Sequence, residues 1–222
     1  MGKLIVIEGT DCSGKQTQAE LLITRLNNAN HNTQLFGFPN YNSPTGKIIA
    51  GPYLGKPDYG NSYFAEGASN VDPKVAGFYY SADRLYNKNH LLETLKTSHL
   101  ILDRYVESNL AHQGGKITNK KQRLELYNWF INLEYYLIKL PQPDIKVLLY
   151  MPRQFAAELK AKRKELPDDH EKNEDYLLLA EKAYLEVATL RDFKIIHCVK
   201  DNKIRTIEDI NNELYEYVLS HL

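Results

Sequence analysis

Residues 3–17 read KLIVIEGTDCSGKQT, an apolar run passing directly into Gly9-Thr10-Asp11-Cys12-Ser13-Gly14-Lys15. Glycines at 9 and 14 allow a tight turn in which successive backbone N–H groups point inward and cradle phosphate oxygens. The amphipathic pattern that follows (Ala19, Leu21, Leu22, Leu26) predicts a helix. Its unpaired first N–H groups and positive dipole end would face the same anion. Lys15 adds a point charge for the transferring phosphates. One position departs from G-x-x-x-x-G-K-[ST]: the hydroxyl expected at residue 16 is Gln16, with Thr17 next.

Outward from this loop, short apolar runs alternate with helical patterns. Strands are expected at Lys3–Glu8, Gln34–Phe38, Leu100–Asp103, Ile145–Met151 and Lys194–Cys198. Helices are expected at Lys15–Asn28, Pro73–Thr97, Lys120–Lys139, Arg153–Arg163, Asn173–Arg191 and Thr206–Leu219. The alternation predicts an α/β fold, a parallel sheet covered on both faces. Ligands then bind beyond the carboxyl ends of the strands, where the loop, Asp103 and Met151–Arg153 gather. Residues 39–72 are rich in Gly, Pro, Asn and Tyr, with a short helix expected near Gly46–Leu54. A connection this long favours a substrate-side role. Residues 160–172, KAKRKELPDDHEK, are charged and broken by Pro167. Lys160, Lys162, Arg163 and Lys164 fit either a solvated helix face or a mobile lid that closes on phosphates.

The 222 residues suit one domain with a small mobile insert, and 43% apolar content with 16 tyrosines supports a substantial core. The 28 basic side chains balance 28 acidic ones, which argues against nucleic acid held by a broad positive field. Cys12 sits inside the phosphate loop and far from Cys198, so free thiols in a reducing compartment are expected. The first apolar run is too short for a signal peptide, and no stretch approaches the ~18 residues of a membrane span. A soluble, cytoplasmic protein is the expectation.

Leu100-Ile101-Leu102-Asp103 is a buried-strand pattern ending in an acid. Beside a phosphate loop such a carboxylate organises magnesium; otherwise it caps a helix. Arg104 beside it can bind phosphate bidentately. Tyr80 and Arg84, i and i+4 on one helix, share a face that suits a base and a phosphate, or a core ring and an ion pair.

Together these stretches resemble the thymidylate kinases, a branch of the nucleoside monophosphate kinases. The resemblance runs through IEGTDCSGKQTQ (7–18), FPNY (38–41), YYSADR (79–84), LDRYVESNLAHQGG (102–115), the cationic lid and RTIEDI (205–210). It implies a P-loop kinase three-layer sandwich: a five-stranded parallel sheet, helices on both faces and a mobile lid. It implies that Lys15 and residues 11–17 (Asp11, Cys12, Ser13, Gly14, Gln16, Thr17) hold ATP, with Asn202 to Arg205 near the adenine. Asp11 would accept a bond from the acceptor 3′-hydroxyl, and Phe38, Pro39 and Tyr80 would flank thymine. Arg84 would hold the acceptor phosphate or the base edge, and Arg104 would clamp the phosphate. Ser108, His112 and Gln113 would read the base edge. The implied cofactor is Mg2+, organised by Asp103, by Thr17 partly through water and by Glu8 through water. Arg163 would cover the donor.

Three departures shift weight within this scheme. Gln16 leaves Thr17, its own amide oxygen or waters to complete the magnesium shell. Many relatives carry an arginine in the segment matching FPNY, where this chain has Asn40 and Tyr41, so the acceptor phosphate depends more on Arg84 and Arg104. The loop also lacks a basic residue between Asp11 and Gly14, which throws a catalytic cation onto Arg163 or a neighbouring lysine. The implied reaction is ATP-dependent phosphorylation of dTMP to dTDP, by a homodimer acting on small molecules, without nucleic acid or membrane. Tyr127–Leu140 either contributes to the dimer or is buried within one chain. The alternatives are another nucleoside or nucleotide kinase of this fold, or a degenerate nucleotide-binding protein. A guanine-reading N-K-x-D is missing, since Asn87-Lys88-Asn89-His90 lacks the final acid.

Overall fold

A computed structural model describes residues 1–160 and 173–222. In chain order these form β1 (Leu4–Gly9), α1 (Lys15–Asn28), β2 (Thr33–Gly37), α2 (Pro44–Ile48), α3 (Pro73–Thr97) and β3 (His99–Asp103). There follow α4 (Val106–Gly114), α5 (Lys120–Ile131), β4 (Ile145–Tyr150), α6 (Arg153–Lys160), α7 (Glu174–Leu190), β5 (Lys194–His197), β6 (Val199–Lys200), β7 (Lys203–Ile204) and α8 (Ile207–Leu219). Five strands make one parallel sheet in the order β2-β3-β1-β4-β5. The register sets Ile7 beside Asp103 and Gly9 beside Leu149, so the loop after β1 emerges between the ends of β3 and β4.

β1 lies at the centre and is buried along its whole length, which is why LIVIEG is a continuous apolar run up to Glu8 rather than an alternating one. Its successive side chains still part to opposite faces. Ile5 and Ile7 pack with Ala19, Leu22 and Leu26 of α1 and Ile210, Leu214 and Val218 of α8. Leu4 and Val6 pack with Leu91 and Leu95 of α3, Leu102, Tyr105 and Tyr135. Each such side chain contributes about 1.5–3 kcal/mol by leaving water. Helices thus cover both faces.

The five expected strands and six expected helices all form, the one expected at Arg153–Arg163 being described only as far as Lys160. α3 starts where the sequence places it because Asp72 accepts the N–H groups of Lys74 and Val75 and Pro73 occupies the first turn. The pattern expected at Lys120–Lys139 divides into α5 and a π-helical turn, Asn132–Leu137. Residues 39–72 hold α2, a π-helical turn at Ile49–Tyr53 and a short 3-10 turn at Pro57–Tyr59, joined by a small aromatic core in which Tyr53 meets Phe64, Tyr79 and Tyr80. Two elements were not anticipated: α4, and the hairpin β6–β7. Asp201 and Asn202 turn that hairpin with positive φ at both residues.

Candidate active site

The phosphate loop is shaped by close approach. A Cβ at Gly9 would strike Ser13 Oγ, and Gly14 adopts φ 73°, the left-handed region open to glycine. Thr10 Oγ1 donates to Met151 O and accepts the Met151 N–H, both at 2.8 Å, fastening the loop to the end of β4. Lys15 folds over the loop, donating to Gly9 O at 3.0 Å and Thr10 O at 3.3 Å. Burial, with Arg104 nearby, pulls its ammonium down to about 8 against the pull of Asp103, Glu8 and Asp11. Cys198 reaches the same loop, its Sγ 3.9 Å from Ser13 O, and burial pushes its thiol up to about 11. Both cysteines are free thiols.

Beside the loop opens a cleft with about 1170 Å³ of empty space, its mouth included. Asp11, Phe38, Pro39, Tyr80, Arg84, Arg104, Ser108, His112 and Gln113 all line it. The structure therefore brings together residues spread over 103 positions of sequence. Gln113 is fully buried and neither atom of its amide has a hydrogen-bond partner.

Arg104 is the best supported cation. Its backbone is left-handed at φ 68°, a conformation that costs about 1–2 kcal/mol outside glycine. One terminal nitrogen donates to Tyr184 Oη at 2.9 Å and lies 3.3 Å from His112 Nε2, which accepts because guanidinium only donates. His112 Nδ1 meets Tyr176 Oη at 3.0 Å. Burial works against the charge of Arg104, but Tyr184, Asp103 and Glu8 outweigh it and keep the guanidinium ionised.

Glu8 and Ser108 are engaged with protein. Glu8 Oε1 accepts the N–H groups of Tyr105 at 2.7 Å and Ser108 at 3.1 Å, while Oε2 accepts the Ser108 hydroxyl at 2.6 Å and that of Tyr184 at 3.2 Å. Burial raises Glu8 to about 6. Arg84 is likewise committed: its Nε and one terminal nitrogen grip both oxygens of the buried Glu134, and the other terminal nitrogen donates to Tyr105 O at 3.2 Å.

The remaining candidates lie around the loop or away from it. Asp103 Oδ1 and Ser13 Oγ are buried without hydrogen-bond partners, free acceptors of the kind a hydrated cation needs. Gln16 is exposed and donates to Glu20 at 2.9 Å along α1; Thr17 is exposed too. Arg205 is paired with Asp209 at 2.6 Å and Glu213 at 2.7 Å, away from the cleft wall. Arg163 lies outside the described residues. Sequence reasoning missed Asn109 and Tyr184, which line the cleft, and Asp83 and Glu134, which brace it. Asp83 stood inside YYSADR, next to a residue already singled out; Tyr184 and Glu134 had no such signal.

Among the described residues no three His, Cys, Asp or Glu side chains could cage a metal. Magnesium fits such a site, because it keeps several waters and binds through one or two carboxylates plus substrate phosphates.

Comparison with known proteins points to one family. The thymidylate kinase family model matches residues 7–210. A probable thymidylate kinase of Methanocaldococcus jannaschii is 29% identical over 214 residues, 96% of this chain and 94% of that one. The Homo sapiens thymidylate kinase is 30% identical over 157 residues, 70% of this chain and 64% of that one. A solved thymidylate kinase from Candida albicans shares the fold, with a TM-score of 0.74 at 24% identity, covering 99% of this chain and 92% of that chain. The five-stranded parallel sheet is that of a P-loop kinase, and the chain belongs to the thymidylate kinase family.

Proposed function

We propose that this chain transfers the γ-phosphoryl group of ATP to dTMP, giving dTDP for thymidine nucleotide biosynthesis. The observation that carries this reading is that the phosphate loop opens beside a cleft walled by Phe38, Tyr80 and Arg104. Lys15 and the amides of residues 11–17 would hold the donor phosphates, with Arg205 near the adenine. Arg104 would clamp the acceptor phosphate, and Asp11 would take the 3′-hydroxyl. Phe38 with Pro39 and Tyr80 would flank the thymine, beside Ser108, His112 and Gln113.

Little covalent chemistry is asked of the protein. The acceptor phosphate is already ionised, so no general base is needed. Alignment of acceptor and donor, with cationic stabilisation of the equatorial oxygens, accounts for most of the acceleration. Asp103, with Thr17 and waters, would hold Mg2+, which when bound neutralises charge on the donor phosphates. Glu8 enters that set only through water, since four donors already occupy its carboxylate. The chain would act as one kinase domain, with residues 39–72 on the acceptor side and 160–172 as a lid bringing Arg163 over the donor.

The working form would be a homodimer. Support comes from α3, where Val75, Phe78, Leu85 and Leu92 recur on one face and remain exposed, Phe78 by 51%. Trp129 meets Phe78 edge-to-face, and Tyr136 and Leu137 are exposed as well. Within the Tyr127–Leu140 stretch Tyr127, Phe130, Tyr135 and Leu140 are instead buried within the chain. Two free thiols and small-molecule substrates favour the cytoplasm, and among the described residues no helix is long and apolar enough to cross a membrane.

The test is coupled ADP release with ATP, magnesium and a panel of dTMP, dUMP, dCMP, dGMP, UMP and thymidine. Preference for dTMP is expected. Turnover of thymidine would move the reading to a nucleoside kinase, and nucleotide binding without any turnover to a degenerate relative.

A further inference from the structure

The first turn of α7 is fastened to both sides of the cleft. Asn173 caps the helix through Oδ1, which accepts the Tyr176 N–H at 3.0 Å, and its amide nitrogen donates to Ser69 Oγ at 3.1 Å. Lys116, just beyond α4, donates to Val71 O at 2.9 Å and Ala68 O at 3.2 Å, with its ammonium 5.9 Å from the centre of the Tyr176 ring. The acceptor-side segment is thereby pinned to α7. Arg104 only donates, so His112 Nε2 accepts from it, and the proton of the neutral ring sits on Nδ1, facing Tyr176 Oη. The series Arg104, His112, Tyr176 thus runs in one direction, and bonds in such a series polarise one another.

On the donor side Glu174, in the same turn of α7, pairs with Arg153 in the first turn of α6. Arg153 follows two residues after Met151, whose N–H and C=O both bond Thr10 Oγ1, while the Thr10 N–H donates to Leu149 O at 3.2 Å. An unbroken series of contacts through α7 and α6 therefore joins Arg104 to the entry of the phosphate loop. Its loosest member is the ion pair. Glu174 is 71% exposed, so water competes for it, and the pair makes or breaks with small movements of α7.

We propose that the first turn of α7 couples the two substrate sites, with Tyr176 and Glu174 as positioning residues: an acceptor phosphate held by Arg104 tightens binding of the donor nucleotide at the phosphate loop. This rests on the dTMP reading and adds to it an energetic link between acceptor and donor. A phosphate on Arg104 fixes the guanidinium, and with it His112, Tyr176 and the turn that carries Glu174. Part of the ordering that the donor requires of Arg153 and the loop entry is then complete before the donor arrives.

The experiment is calorimetric titration with the magnesium complex of β,γ-imido-ATP, with and without saturating dTMP, and the converse titration with dTMP. In the unaltered protein each ligand should raise the affinity of the other by the same factor, about fivefold or more. In Y176F, which removes the hydroxyl facing His112, and in E174A, which frees Arg153, that factor should fall below about twofold. The Kd of the ATP analogue alone should stay within about twofold of the unaltered value, which reports an intact loop. Two breaks in one series do not add, so Y176F/E174A should lower the factor no further than either single change. Should Y176F fail to fold, E174A alters a mostly exposed side chain and carries the test alone. Retention of the factor by either folded variant overturns the coupling, even where both ligands bind more weakly, since that pattern reports a structural role. A factor near one in the unaltered protein overturns it too; both results leave the kinase reading in place. No dTMP binding by the unaltered protein overturns both.

Discussion

Glu8 on β1 accepts the backbone N–H of Tyr105 at 2.7 Å and so supplies the cap that α4 lacks from its own sequence. Tyr105 stands at the cap position and has no side-chain bond to the helix. The carboxylate of the central strand takes over, satisfying two N–H groups and the Ser108 hydroxyl. Ser108 and Tyr184, held by Glu8, in turn meet Arg104. Replacing Glu8 by Ala strands these buried donors and should cost about 2–4 kcal/mol of stability in ligand-free protein, with Glu8→Gln losing less. Thermal or denaturant unfolding measures this. If stability is unchanged while the magnesium requirement rises, Glu8 serves the metal rather than α4.

Lys15 gives a pH signature. Burial lowers its ammonium to about 8, from an ordinary 10.5. As pH rises through 8 the free enzyme loses the positive charge that the donor phosphates need. Hence kcat/KM for ATP should fall about tenfold per unit above pH 8, following the free enzyme. At saturating ATP the bound phosphates retain the proton, and kcat should decline only at higher pH. A basic limb in kcat/KM that begins near 10 would contradict the assignment.

How much of this was legible depended on the range of each interaction. The loop, α1 and α3 are written in neighbouring residues: a strand followed by glycines, or Asp72 followed by Pro73. α4 is not, because its cap comes from Glu8 and its polar Glu107, Ser108, Asn109 and Gln113 are all buried. A helix buried on nearly every side carries no amphipathic stripe to find. Nor could spacing reveal that Tyr184, 176 positions from Glu8, would hold Arg104. Arg84 was legible as a cation facing a nucleotide, but the carboxylate that occupies its fork lies 50 positions away.

Asp103 Oδ1 is buried with no hydrogen-bond partner, an arrangement that an apolar replacement would relieve and a hydrated cation would use. Asp103→Asn should leave stability within about 1 kcal/mol, since no bond is lost. It should raise the magnesium concentration needed for half-maximal rate by about 10–100-fold. Titration of the rate with magnesium at fixed ATP decides. An unchanged titration with a lower kcat would assign Asp103 to positioning Lys15 or Arg104 instead.

Phe78 and Leu85 leave half of their surface exposed on α3, seven residues apart on one face. A carboxylate at either would be forced into any interface built on that stripe. Phe78→Glu should convert a dimer to monomer in sedimentation experiments, a penalty of several kcal/mol for an unpaired buried charge. The monomer should still bind ATP. A dimer that survives both Phe78→Glu and Leu85→Glu would place the interface elsewhere.

Asp83 shows how the acceptor wall is held. Its Oδ2 accepts the Asn40 N–H at 2.8 Å, while Oδ1 takes the hydroxyls of Ser43 at 2.8 Å and Thr45 at 2.7 Å. One carboxylate on α3 thus ties down the turn carrying Phe38, Pro39 and Tyr41, all of which line the cleft. Asp83→Ala takes the shared acceptor from one buried and two half-buried donors, and should destabilise the ligand-free protein by about 1–3 kcal/mol. The kinetic effect should fall on one substrate. Loosening the turn misplaces the thymine side of the cleft but not the phosphate loop, so KM for dTMP should rise about tenfold while KM for ATP stays within about twofold. Asp83→Asn keeps one acceptor oxygen and should fall between the two. Equal effects on both Michaelis constants would mean that Asp83 supports the whole cleft, and an unchanged KM for dTMP would mean that the turn is held without it.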